Sequence, residues 1–263
     1  MVHFSPLEGD PAFEGEDVVL ARARADLEAL RAGGVDAVIF ENNFDNPKFE
    51  RLPPPTAAHF ERLVADLAPR AGVPWGVAPL WNDYRLGFRL CKAYGGRMVR
   101  VPVFADDVET AYGTFVADAA QVRRERMDAG ADDVLILADV QVKHARLVRP
   151  RAFAESVRDT LAAGADAVIV TGEWTGHPPS WEQCALAKEA AGGNALVLAG
   201  SGMTPENISS YAPSLDGYIV GTAFKEGAVD AGSRNGPNVV GPARRYDVEK
   251  IRAFVQKAGE LRA

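Results

Sequence analysis

Residues 152–173 read AFAESVRDTLAAGADAVIVTGE, and residues 24–41 carry the same pattern as RADLEALRAGGVDAVIFE. In each, an amphipathic run ends in glycine, an aspartate follows, and a short run of aliphatic or aromatic residues comes next. Glycine at that point suits a left-handed helix C-cap. A continuous apolar run of strand length is the mark of a parallel strand covered on both faces. The repeating unit is therefore helix, glycine, strand.

The unit recurs along the chain in both directions. Strand-like runs stand at Val2–Phe4, Ala37–Phe40, Trp75–Ala78, Met98–Val101, Val134–Val140, Ala167–Val170, Leu196–Ala199 and Tyr218–Val220. Helix-like segments alternate with them at Asp17–Ala32, Ala57–Ala71, Leu86–Tyr94, Phe115–Ala129, Ala152–Ala163, Trp181–Ala191, Thr204–Tyr211 and Val248–Glu260. Eight such units predict an α/β fold, a (β/α)₈ TIM barrel of parallel strands with outer helices, as one domain over residues 1–263. An open doubly wound sheet is the competing topology. The stretch from Gly227 to Tyr246, rich in Gly, Pro, Asn and Arg, breaks the rhythm and reads as a lid-like loop after the eighth strand. Arg234, Arg244 and Arg245 are its candidate anion contacts.

With 47% hydrophobic and 25% charged residues the chain has the composition of an ordinary globular protein. A net charge of -7 argues against nucleic acid as a partner. No apolar run approaches the roughly 20 residues of a membrane span, and no signal peptide is expected. Two cysteines, Cys91 and Cys184, fit buried thiols and a cytoplasmic location. Homo-oligomerisation is left open. No HExxH, Cys/His ligand spacing, GxSxG elbow or GxGxxG is present, so neither a metal site nor a cofactor is expected.

In a barrel the strand ends and the loops after them form the site. The seventh and eighth units end in Gly200–Ser201–Gly202 and Gly221–Thr222–Ala223. Two such turns on neighbouring final strands let backbone N–H groups approach a phosphate, with Thr204–Pro205 read as the start of a helix behind the first. Gly200, Ser201, Gly202, Gly221 and Thr222 are thus the phosphate candidates. Tight turns without a ligand are the plainer reading.

The fifth unit continues Asp139–Val140–Gln141–Val142–Lys143–His144. Alternation along an extended strand puts Asp139, Gln141 and Lys143 on one face. Asp139, Lys143, His144 and Glu41, at the end of the second strand, are the catalytic candidates; a structural Asp–Lys ion pair is the alternative. Burial would lower the pKa of Lys143 and an Asp139 carboxylate would raise it. The shared face favours a cationic lysine over one that forms a Schiff base. His3, Asn42, Asn82 and Arg100 are candidate substrate contacts, and Asp83 is as readily a helix cap. Trp81, Trp174 and Trp181 would offer flat walls.

Taken together, Val2–Leu7, Phe40–Glu41–Asn42, Asn82–Asp83, the Ala138–Ala145 stretch, Val170–Thr171–Gly172, Gly200–Ser201–Gly202 with Glu206–Asn207, and Asp216–Lys225 make the chain resemble the BtpA/SgcQ family over almost its whole length. The resemblance implies a TIM-type barrel and adds Thr171 to the candidate substrate contacts, which Trp174 joins as a flat wall. It also links one branch of the family to photosystem I biogenesis and another to a sugar-phosphate operon. The chain departs from the family pattern at Pro102–Asp107, at Glu8–Gly9–Asp10 and in the last loop. The expectation is an enzyme acting on a small phosphorylated molecule, with lyase, isomerase or glycosyl-type chemistry. A non-catalytic assembly or stability factor is the alternative.

Overall fold

In the computed structural model, which describes residues 1–227 and 241–262, the chain runs β1 (Val2–His3), α1 (Glu16–Ala32), β2 (Val38–Glu41), α2 (Pro54–Leu67), β3 (Trp75–Ala78), α3 (Tyr84–Tyr94) and β4 (Met98–Val101). It continues through β5 (Val108–Thr110), β6 (Gly113–Phe115), α4 (Ala119–Asp128), β7 (Leu135–Val140), β8 (Ala145–Leu147) and α5 (Phe153–Ala162). The last elements are β9 (Ala167–Val170), α6 (Trp181–Ala191), β10 (Leu196–Ala199), α7 (Ile208–Tyr211), β11 (Gly217–Tyr218) and α8 (Val248–Glu260).

Eight strands pair in parallel in the order β1-β2-β3-β4-β7-β9-β10-β11, and the sheet curls into a TIM barrel. At the seam the Met1 nitrogen donates to the Val220 carbonyl at 2.8 Å. Strand alternation divides the core in two. Val38 and Phe40 face the helices and join a cluster with Phe4, Phe60, Val77, Val99 and Val168. Ile39 faces inward and joins Ala78, Leu137, Ala167 and Ile169 in the barrel interior. The helices bury stripes that match their periodicity; α2 turns His59, Phe60, Leu63, Val64 and Leu67 inward.

Two expected helices differ from the sequence reading. The segment expected as a helix from Phe115 starts only at Ala119, where Asp118 accepts from the Gln121 N–H. Phe115 instead ends β6 and packs with Trp81, Val103, Val108 and Val142 in a separate cluster. Strands β6, β5 and β8 form a three-stranded antiparallel sheet over the barrel mouth. Trp81 is therefore buried in this cap, with one edge on a small cavity it shares with Glu41, Lys143 and His144. The helix expected from Thr204 begins at Ile208. Asn207 explains the delay: its side chain accepts from the Thr204 N–H at 2.9 Å and donates to the Gly202 carbonyl at 2.9 Å, which holds residues 204–207 as a turn.

Of the loop 227–246, residues 228–240, including Arg234, lie outside the described residues. Arg245 does not turn to the mouth. It ion-pairs with Asp26 on α1 at 3.2 Å, beside Lys225, whose Nζ lies 3.1 Å from the same carboxylate and 3.7 Å from the Tyr246 ring centroid. Arg244 donates to the Glu226 carbonyl at 3.2 Å. No helix among the described residues is long and apolar enough to cross a membrane.

Candidate active site

Inward-facing residues at the C-terminal ends of four strands meet around one guanidinium. Arg100, on β4, donates from Nε and Nη2 to the two oxygens of Asp139 on β7, both at 2.8 Å. Its Nη1 donates to Glu41 Oε2 on β2 at 3.3 Å. Ala78 on the intervening β3 belongs to the interior cluster, and its small side chain leaves the guanidinium room to span from β7 to β2. His3 Nε2 on β1 lies 3.6 Å from Glu41 Oε1. A buried arginine requires such anions, and here both are carboxylates of the barrel itself. The two carboxylates in turn hold the Arg100 guanidinium firmly in its cationic form.

Lys143 lies just beyond β7. The extended strand stops at Val140, because Gln141 adopts a left-handed φ of 48°. Gln141 consequently turns away from Asp139 and donates to Ser156 Oγ on α5 at 3.0 Å and to the Arg151 carbonyl at 3.4 Å. The expected shared face of Asp139, Gln141 and Lys143 is corrected on this point. The Lys143 N–H donates to Thr171 Oγ1 at 3.2 Å, which ties the segment to the end of β9. Burial, reinforced by the Arg100 charge and opposed by Glu41 and Asp139, lowers the Lys143 pKa to about 8. Burial thus outweighs the carboxylates, yet a pKa of about 8 keeps the lysine mostly cationic at neutral pH, with a minor fraction as the free amine. His144 Nε2 lies 2.9 Å from Thr175 Oγ1 and its ring 5.5 Å from that of Trp174. Burial and the Lys143 charge lower its pKa to about 4, so it is neutral near pH 7. His3 is held neutral as well, first by burial and then by the Lys225 charge.

A cavity of about 400 Å³ connects this cluster to the glycine turns. His3, Glu41, Arg100 and Lys143 line it together with Gly200–Gly202 and Gly221–Ala223. Among the described residues, the backbone N–H groups of Gly202, Met203, Thr222 and Ala223 donate to no protein acceptor. The glycines are also demanded by packing. A Cβ on Gly221 would stand 2.5 Å from the His3 ring, one on Gly200 2.6 Å from Ile169, and one on Gly202 2.1 Å from the Pro178 nitrogen.

Three expected contacts have other partners. Asn42 accepts from the Leu80 N–H at 2.7 Å and donates to the Leu80 carbonyl at 3.3 Å and to Asp45. Asn82 makes the same two-point pairing with Val103, at 3.1 and 2.9 Å. These amides prolong the sheet's hydrogen bonding past the strand ends, loop to loop, and neither lines the cavity. Asp139 lies beneath the lining, with both oxygens occupied. Asp83 caps α3, accepting from the Leu86 N–H. Trp174 stands exposed in the loop after β9 and Trp181 at the start of α6. Sequence reasoning missed Asn43, Lys48 and Thr175, which gather with Glu41, Lys143 and His144. Lys48 is buried, and its Nζ donates to the Asn42 and Asn43 carbonyls at 3.1 and 2.9 Å. Only the folded course of that loop, not any period in it, brings Lys48 inside. Replacing Asn82 with alanine leaves a buried N–H and carbonyl of Val103 unpaired and is expected to cost about 1–3 kcal/mol by urea denaturation. Unchanged stability would remove the stitching role.

A model of the BtpA family matches residues 1–258. The chain belongs to the BtpA family. It is 35% identical over 228 residues to the photosystem I biogenesis protein BtpA of Synechocystis sp., covering 86% of this chain and 79% of that one. It is 29% identical over 266 residues to the putative sgc region protein SgcQ of Escherichia coli, covering 100% and 95%. Among solved structures, N-(5'-phosphoribosyl)anthranilate isomerase from Pyrococcus furiosus superposes with a TM-score of 0.55 at 12% identity, covering 90% of this chain and 95% of that one. Thiamine phosphate pyrophosphorylase from the same organism gives 0.53 at 12% identity, covering 90% and 91%. Likeness at that identity carries the fold alone, so the BtpA-family site is read from its own residues.

Proposed function

We propose that the chain is an enzyme acting on a small phosphorylated molecule, with lyase or isomerase chemistry at the barrel mouth. The observation that carries this reading is the single cavity that joins uncommitted backbone N–H groups on the last two βα turns to a carboxylate and a lysine of lowered pKa. Its size, about 400 Å³, suits a small ligand. The phosphate sits against Gly200, Ser201, Gly202, Gly221 and Thr222, where N–H groups and the Thr222 hydroxyl surround it, and the Ser201 hydroxyl joins them by turning from the Trp174 carbonyl it donates to at 3.3 Å. Glu41 is the proton acceptor, because it lines the cavity and gives only Oε2 to Arg100, leaving Oε1 beside the neutral His3. Asp139 acts through Arg100 as a positioning residue. Asn42, Asn82 and Thr171 position the loops, and His144 with Trp174 borders the outer approach. The similarity of the chain's fold to enzymes named for phosphoribosyl and thiamine phosphate substrates supports the reading without defining a reaction.

A second reading, a non-catalytic assembly factor, draws on the named function of the Synechocystis relative. Exposed Phe49, Val116 and Trp174 on loops, with Trp181 at the start of α6, favour it. Melting with inorganic phosphate against chloride at matched ionic strength separates the two. A ligand at about 100 times its Kd adds about 2.7 kcal/mol of stability. A rise in Tm with phosphate is expected. An unmoved Tm at every phosphate concentration would count for the assembly reading.

A further inference from the structure

We propose that Lys143 Nζ forms a Schiff base with the carbonyl carbon of a phosphorylated aldehyde or ketone held in the mouth cavity. This rests on the phosphate reading above and names the substrate class for it.

Three observations carry the inference. Lys143 lines the same cavity as the phosphate turns, so a short molecule anchored there presents its other end to Nζ. The carboxylates that would fix the lysine as an ammonium are already committed, Asp139 with both oxygens and Glu41 with one, to Arg100. Among the described residues Lys143 has no ion-pair partner. The backbone is anchored on both sides of the side chain, Lys143 N–H to Thr171 Oγ1 and His144 N–H to the Glu173 carbonyl at 3.3 Å. Lys48 is the contrast within the same protein: it is the more buried of the two, and its ammonium is held by two carbonyls. A pKa near 8 leaves a useful fraction of Lys143 as the free amine at neutral pH, where an ordinary lysine has almost none.

The step balances without a co-reactant. The Nζ lone pair forms the C–N bond as the carbonyl π pair moves to oxygen. The nitrogen loses a proton to Glu41 Oε1, and the oxygen takes one up to give a carbinolamine. Protonation of that hydroxyl and expulsion of water leaves the iminium. Overall, carbonyl, amine and one proton become iminium and water. The iminium is an electron sink for deprotonation or carbon–carbon cleavage at the neighbouring carbon, which favours lyase or isomerase chemistry over glycosyl transfer.

The test is reductive trapping on the full chain with dihydroxyacetone phosphate, glyceraldehyde 3-phosphate and pyridoxal 5'-phosphate as probes, read by intact mass and peptide mapping. A borohydride-stable adduct on Lys143 is expected, lost in Lys143→Arg and suppressed by excess inorganic phosphate. Its rate of formation should rise as pH passes through about 8, since the neutral amine accumulates above the folded pKa. An adduct on Lys143 that phosphate does not suppress, in a protein whose Tm phosphate does not move, upholds the Schiff base and removes the phosphate site. Phosphate binding with adducts absent from Lys143, or found only on Lys48 and surface lysines, overturns the Schiff base and leaves the phosphate site standing. Circular dichroism of Lys143→Arg and Lys143→Met confirms that the variants are folded.

Discussion

Replacing Arg100 with methionine is expected to cost the fold about 3–5 kcal/mol, the usual penalty for removing one partner of a buried ionic cluster. The guanidinium is 7% exposed and its three hydrogen bonds hold Asp139 and Glu41, each 4% exposed. Methionine fills much of the volume and leaves two facing carboxylates in the barrel without a cation. The variant then carries a distinctive pH dependence. Two buried like charges raise the carboxyl pKa values of the folded state above their unfolded values. The folded variant binds more protons than the unfolded chain, so its stability falls as pH rises through the carboxylate range. The deficit against the unaltered protein should therefore shrink on acidification. Urea melts at pH 5 and pH 7.5 check both statements. Equal stability of variant and parent at pH 7.5 would show that the cluster contributes nothing. A double variant, Arg100→Met with Asp139→Leu, should recover part of the loss, because it removes an anion along with its cation.

Valine at Gly221 should abolish phosphate-dependent stabilisation. A Cβ there stands 2.5 Å from His3 Cε1 and 3.0 Å from Nε2, so the imidazole must move or the turn must open. Either outcome withdraws the Thr222 and Ala223 N–H groups from the cavity, and the added methyl groups occupy the anion's place. At least a hundredfold loss of phosphate affinity is expected, of order 3 kcal/mol. Gly259→Ala is the matched control. Gly259 lies in α8 with nothing within 4 Å of the added Cβ and should be stabilised by about 0.5–1 kcal/mol, with phosphate binding unchanged. Retained phosphate binding in Gly221→Val would move the anion site away from this corner.

The barrel was legible because its signals are local. Glycines at helix ends and short apolar runs recur in most units, and all eight strands lie within a residue or two of where the pattern puts them. The cap sheet was not legible. Its strands are three residues long and come from two loops, with β5 and β6 from one and β8 from the other, so neither loop is long enough to show a period of its own. Glu41, Arg100 and Asp139 were readable as polar residues at strand ends, since alternation fixes which way they face. Their pairing was not, because the reach of an arginine across β3 depends on the small Ala78. Alternation failed one residue past β7, at Gln141, where the backbone turns left-handed. Asn42 and Asn82 resembled ligand contacts because an amide satisfied by a neighbouring loop and an amide awaiting a substrate look alike in sequence.

The cap sheet also bears on inheritance. Its middle strand, β5, hydrogen-bonds to β6 from its own loop and to β8 from the loop that carries Lys143 and His144. A chimera that takes one of these loops from a relative and keeps the other would place mismatched cross-strand partners on both sides of the junction. The β4–α4 and β7–α5 segments therefore behave as one unit of recombination although barrel residues 119–140 separate them. Divergence of specificity within the fold should be expected to move the two together, and grafts that respect the pairing should survive where single-loop grafts do not.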